Sequence, residues 1–178
     1  IDTSNHLKII GRAGVGVDNI DVEAATEKGI VVVNSPNGNT LAAAEHTLAM
    51  MMSMARHIPE ASKRLHEGHW DKKNLTGVEI SGKTLGVIGL GKIGSHVATV
   101  AKAMGMNIVV YDPYAKKEVV EKLNAKLVDD LENFWHEPDF ITIHVPKTKE
   151  TVNLINKETI AKMKKGVRLV NCARGGVV

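Results

Sequence analysis

Residues 83–98, KTLGVIGLGKIGSHVA, decide how this chain is read. Gly89, Gly91 and Gly94 follow an apolar run in G-x-G-x-x-G spacing. Glycines punctuate many ordinary turns, so this spacing is weak by itself. Its surroundings add four features. The motif follows a strand-like segment, LGVIG, and opens a helical one, KIGSHVATVAKAMG, whose apolar residues recur at helical spacing. A second strand-like run, NIVVY, comes next, and Asp112 closes it, 18 residues past Gly94. The series strand, glycines, helix, strand, acid is that of a dinucleotide site. Gly89 permits the tight turn, Gly91 lets the backbone approach a pyrophosphate, and Gly94 lets helix and strand pack closely. The helix start offers unpaired N–H groups and the positive end of its dipole to the phosphates. A carboxylate at Asp112 accepts from a ribose 2′-hydroxyl and repels a 2′-phosphate, which favours NAD over NADP. Lys116 and Lys117 would soften that repulsion, but no arginine directly follows the acid.

Outward from this unit, strand and helix alternate. LKIIG (7–11) reads as a short buried strand, VEAATEKG as a two-turn helix closed by Gly29, and IVVVN (30–34) as a second strand. From Thr40 to about Gly68 the pattern is helical, with a kink expected at Pro59. After a loop over 71–82 come the glycine unit, helices near 116–124, 129–136 and 157–164, and the strands AKLV, DFITIHV and VRLVNCA. Such alternation predicts an α/β fold, a Rossmann-like doubly wound parallel sheet of right-handed βαβ units.

Composition narrows the function. The chain has 178 residues, 43% hydrophobic and only 3% aromatic, so aliphatic side chains and methionine must fill the core. A net charge of +3, with both signs interspersed, lacks the concentrated basic face of a nucleic-acid binder. One cysteine, Cys172, excludes an internal disulfide framework and fits a reducing, cytoplasmic setting. The apolar run LAAAEHTLAMMMSMA is too short and too polar to span a bilayer.

Several longer stretches bear a resemblance beyond the glycine motif: GRAGVGVDNIDVEAATEKGIVVVNSPNGNT, AAAEHTLAMMMSMARHIPEA, DFITIHVPKTKETVNLIN and KKGVRLVNCARGGVV. In these the chain resembles the D-isomer-specific 2-hydroxyacid dehydrogenases, and GRAGVGVDNID with NSPNGN is similar to their branch acting on 3-phosphoglycerate. The resemblance implies two α/β domains with substrate between them: residues 1–36 ending one segment of the substrate domain, and 37–178 forming an NAD-binding domain incomplete at its C-terminus. It implies oxidation of 3-phosphoglycerate to 3-phosphohydroxypyruvate, the first step of serine biosynthesis, with hydride passing to NAD. It also implies that the general-acid/base His and its partner Glu lie beyond NCARGG, so that this piece alone binds NAD weakly and turns nothing over.

Residue by residue, the resemblance puts Gly89, Gly91, Lys92, Ile93 and Gly94 on the pyrophosphate and Asp112 on the adenosine ribose. His144, Val145 and Pro146, with Thr151, form the wall near the adenine. Cys172, Ala173 and Arg174 pass beneath the nicotinamide, and Val15 reaches the cofactor from across the cleft. Arg174 is the expected catalytic residue: a permanently charged, planar guanidinium holds a carboxylate and polarises a carbonyl without a proton equilibrium. Arg12 and Gly14 fall in the substrate's carboxylate and phosphate region, although Arg12 is equally read as an ion-pair partner of Asp18 or Asp21. Lys72 is either a phosphate contact or a solvated loop lysine. The methionine-rich helix is either a core stripe or, with Trp70, part of a homodimer interface over 41–74.

His66 and His69 stand three apart, but no further ligand follows at suitable spacing, and no metal is expected. Lys162, Lys164 and Lys165 read as a solvated helix end. Two other readings remain open: a dehydrogenase for glycerate, glyoxylate or lactate, and an NAD-sensing corepressor-like binding protein. A phosphate-free substrate would make Arg12 and Lys72 unnecessary, and NSPNGN argues against the corepressor reading.

Overall fold

A computed structural model of the chain describes every residue except 2 and 5. It divides into two compact units, residues 1–40 and 41–178.

The first unit is a single parallel pair. Strands β1 (Ile9–Arg12) and β2 (Val31–Asn34) pair from Ile9 with Val31 to Arg12 with Asn34, joined through helix α1 (Val22–Glu27). Asp21 starts the helix, its carboxylate accepting from the Ala24 N–H at 2.9 Å. The first strand, expected to be buried, is largely exposed, and so is the second: Ile9 and Val31 are more than half accessible, and among the described residues of this unit only Ala25 and Ile30 are buried. A parallel sheet ordinarily needs both faces covered, and one six-residue helix has too little apolar surface to do it.

The second unit is the expected doubly wound sheet, all parallel, in the order β5-β4-β3-β6-β7. Its elements are α2 (Thr40–Ala55), α3 (Ile58–His66), β3 (Thr84–Ile88), α4 (Lys92–Ala103), β4 (Asn107–Tyr111) and α5 (Lys117–Lys122), followed by β5 (Lys126–Val128), α6 (Leu131–Phe134), β6 (Phe140–Ile143), α7 (Lys157–Lys162) and β7 (Arg168–Asn171). The long helical stretch breaks instead of kinking. His57 takes a left-handed conformation (φ 53°) after α2, and Pro59 sits in the first turn of α3, where its missing N–H costs nothing.

Strand periodicity sorts the core onto the two sheet faces. Leu85, Val87, Ile108 and Val110 pack with Val97 and Ala101 of α4 and with Met51 of α2. Ile88, Val109, Ile141 and Ile143 pack on the other face with Phe134 and Trp135, whose rings meet edge to face with centroids 5.5 Å apart. Met51 is buried, and Met52 and Met54 pack against the same cluster, so these three serve the core. Met50 faces outward.

The chain runs outward from β3 through β4 to β5, then returns to lay β6 on the other side of β3. The reversal opens a crevice at the carboxyl ends of β3 and β6, the usual ligand position in such sheets. Gly89, Asp112, His144 and Cys172 each immediately follow one of β3, β4, β6 and β7.

Candidate dinucleotide site

A cleft of about 570 Å³ lies at that carboxyl edge. Gly89, Gly91, Asp112, His144, Val145, Pro146 and Thr151 all line it, so seven of the expected cofactor residues converge. Lys92, Ile93 and Gly94 form the first turn of α4 beside it. Ile88, Tyr111, Pro113, Tyr114, Thr148, Glu150 and Leu154 complete the lining and were not anticipated. Tyr111, Pro113 and Tyr114 flank the acid in sequence, and Tyr114 is 92% exposed.

The glycine turn has the shape a dinucleotide requires. Gly89 is left-handed (φ 92°), and its N–H donates to the Tyr111 carbonyl at 3.0 Å, tying the turn to β4. A Cβ on Gly94 would strike the Gly89 carbonyl oxygen, whereas one on Gly91 would project into open space. Gly91 is also the N-cap of α4 and has no side chain with which to satisfy the helix's first amides. Asp112 bends over this turn: one carboxylate oxygen accepts from Leu90 N–H at 2.7 Å and the other from Tyr114 N–H at 2.8 Å. An ionised carboxylate has about four acceptor positions, so both oxygens keep room for a ribose hydroxyl. Neither Lys116 nor Lys117 lines the cleft. These residues fit the diphosphate and ribose of NAD.

The opposite wall is held by its own bonds. The ring of His144, partly buried, meets the Thr142 hydroxyl at 2.9 Å, and Thr142 is buried in β6. Burial lowers the His144 pKa to about 4, so the ring is neutral at pH 7. A Cβ at Gly89 would lie 3.0 Å from both the His144 carbonyl and a methyl of Val145, so the wall packs closely on the turn. Thr151 staples the following loop: its hydroxyl donates to the Pro146 carbonyl at 2.6 Å and accepts from Thr148 N–H at 2.8 Å. That makes it a support for the wall before it is a ligand contact. Glu150 is held ionised below its ordinary range by the Thr148 hydroxyl and then its own amide, so the cleft presents two carboxylates.

Cys172, Ala173 and Arg174 form a turn directly after β7, and all three are half-buried. Cys172 packs against one face of the core and Ala173 against the other. Arg174 donates to the Ala173 carbonyl at 2.9 Å. None of the three lines the cleft itself.

In the first unit, the Arg12 guanidinium folds back over Gly14, its carbon 3.5 Å from where a Cβ would stand. The Val15 carbonyl accepts from Asn34 at 2.8 Å, and the Gly14 carbonyl from Ser35 N–H at 3.0 Å. These bonds tie the two loops of this unit together. Lys72 is outside the dinucleotide cleft and borders a hollow of about 230 Å³ with Ala61, Leu65, His69, Trp70 and Leu75. Among the described residues no three His, Cys, Asp or Glu side chains gather as a metal site, and no helix is long and apolar enough to cross a membrane.

A doubly wound parallel sheet with a glycine turn, a helix start and a strand-end acid at its switch point defines a dinucleotide-binding domain. The sequence comparison agrees: residues 48–178 match the NAD-binding domain of the D-isomer-specific 2-hydroxyacid dehydrogenases. The chain belongs to that family, and its dinucleotide is NAD. Proteins named D-3-phosphoglycerate dehydrogenase are similar over all 178 residues, with 62% identity in Synechocystis sp., 56% in Methanocaldococcus jannaschii and 49% in Homo sapiens. The chain spans 32–34% of the length of these relatives. Among solved structures, D-lactate dehydrogenase from Aquifex aeolicus, complexed with NAD and lactic acid, superposes with a TM-score of 0.88. It is 38% identical, and the match covers 98% of this chain and 52% of that one.

Proposed function

We propose that the protein carrying this chain oxidises 3-phosphoglycerate to 3-phosphohydroxypyruvate, the first step of serine biosynthesis. The observation that carries this reading is the convergence of the glycine turn, Asp112 and the His144–Pro146 wall on one cleft, with Arg174 at the same edge of the sheet. Identity of 49–62% to relatives named for that substrate supports the choice of hydroxy acid. NAD supplies the hydride acceptor when bound. Gly89, Gly91 and the first turn of α4, Lys92 to Gly94, hold its diphosphate with backbone amides, and Asp112 anchors the adenosine ribose. His144, Val145 and Pro146, braced by Thr151, flank the adenine. Cys172 and Ala173 floor the nicotinamide end. Arg174 fixes the substrate carboxylate and draws charge onto the carbonyl oxygen as it forms. Lys72 serves the phosphate of the substrate.

Titration calorimetry with NAD and NADP tests the ribose anchor. Asp112→Asn is expected to lower the NAD-to-NADP affinity ratio by about 10–100-fold, the worth of a hydrogen bond to a charged acceptor. Equal wild-type affinities for the two nucleotides would sink the assignment. Steady-state rates of the full-length protein on 3-phosphoglycerate, glycerate and lactate decide the substrate.

The same reading makes the protein a cytoplasmic homodimer joined through residues 41–74. Support comes from the apolar side chains this region leaves outside: Ile58 and Leu65 are more than half exposed, and Trp70 is 82% exposed. Exposed aromatic and aliphatic groups in one stretch are characteristic of interfaces. Replacing Leu65 and Trp70 together with glutamate is expected to give monomers in sedimentation velocity. A dimer that persists would remove this surface from the interface.

A further inference from the structure

We infer that Asn171 is the positioning residue that aims Arg174 at the substrate; the inference rests on Arg174 holding the substrate carboxylate. The last residue of β7 turns its amide into the loop that follows. Its Oδ1 accepts from Ala173 N–H at 3.0 Å, and its Nδ2 donates to the Arg174 carbonyl at 2.9 Å. One planar group thereby fixes the backbone on both sides of the Arg174 N–Cα bond, forming an Asx-turn with an added donor. Asn is suited to this in a way its neighbours in size are not. Asp offers no donor for the carbonyl, and Ser or Thr is too short to reach both groups at once.

The far end of the loop is pinned as well. The Gly176 carbonyl accepts from Asn153 N–H at 2.8 Å, and the Val177 carbonyl from Ile155 N–H at 2.9 Å. Val177 is fully buried in the same cluster as Ile155. Asn153 adopts a left-handed conformation (φ 55°) in presenting its amide to this segment, a cost that the pairing offsets. Residues 172–175 are therefore strung between a side-chain clamp and a buried anchor. Arg174 leaves the middle of that span. A guanidinium fork must meet a carboxylate in plane, so its root needs this degree of fixation. Displacing reacting groups by about 1 Å can cost about 100-fold in rate.

The test uses the full-length dehydrogenase at temperatures well below its melting point. Asn171→Asp keeps an acceptor for Ala173 but sets an oxygen against the Arg174 carbonyl, and Asn171→Ala removes both bonds. Both are expected to lower kcat/KM for the hydroxy acid by about 10–100-fold while NAD affinity in calorimetry falls by much less, because the diphosphate turn belongs to β3 and only the nicotinamide end rests on residues 172 and 173. Urea unfolding of each variant shows that it is folded under assay conditions. Arg174→Ala separates the two layers of the argument. If that variant is impaired while both Asn171 variants keep the wild-type kcat/KM, the positioning role is overturned alone. If Arg174→Ala itself keeps full activity, the carboxylate reading fails and takes this one with it. Loss of NAD affinity in step with kcat/KM in the Asn171 variants would also overturn the proposal, since it would mark a general collapse of the edge.

Discussion

Alanine at position 94 is expected to abolish measurable NAD binding and to lower stability by about 1–3 kcal/mol. The added methyl falls on the Gly89 carbonyl oxygen, with the Gly89 carbonyl carbon at 3.2 Å and a ring carbon of His144 at 3.3 Å. No flexible side chain can yield there. The Gly89 turn is tied to β4 through the Tyr111 carbonyl, and the His144 ring is bonded to Thr142. The first turn of α4 must lift, and its amides leave the line along which a diphosphate approaches. Gly91→Ala provides the contrast, because its methyl enters open space. That variant should keep wild-type stability in urea and still bind NAD poorly in calorimetry, the methyl standing where phosphate would lie. Wild-type NAD affinity in the Gly94 variant would move the diphosphate away from α4.

The second large effect lies in acid. Burial holds the His144 pKa at about 4, whereas an unfolded chain protonates that ring near 6.5. Between those values the unfolded state binds a proton that the folded state refuses, so stability falls as pH is lowered. The full benefit of a neutral ring is present above pH 6.5 and has been lost below about 4. The difference corresponds to about 2–3 kcal/mol once solvent reaching the ring's open edge is allowed for. His144→Gln retains a nitrogen to meet Thr142 and cannot titrate. Urea denaturation of both proteins at pH 7 and pH 4.5 should show the variant losing less stability over this interval. Parallel losses would mean that the ring is already wet and titrates normally. The carboxylates remain in both proteins and cancel from the comparison.

Much of this domain was legible because its strands are short, β-branched and bounded by glycine or polar turns. Once TLGVI is a strand, the period-two split between Leu85 and Val87 on one face and Ile88 on the other follows. The glycine turn and Asp112 were legible for a related reason: backbone geometry demands particular residue types there. Three things escaped. The helix break at His57 depends on a left-handed residue with no glycine to announce it. The exposure of β1 and β2 was hidden because their sequences, IIGR and VVVN, look the same whether or not anything covers them. Tyr114, Thr148 and Glu150 were missed since a loop's contribution to a cleft depends on where its two anchors place it. The bonds of Thr151 to Pro146 and Thr148 set that placement, and they have no period.

Strand order also fixes when the cleft comes into being as the polypeptide is made. Leu85 finds its partner Ile108 after 23 residues, but its partner on the other flank, Phe140, only after 55. Closing the longer span is slower and entropically harder. Until it closes, the growing domain carries half a sheet with a bare apolar margin, the kind of template on which neighbouring nascent chains can stick. The glycine turn is thus translated early and gains its opposite wall late, when the last strands arrive.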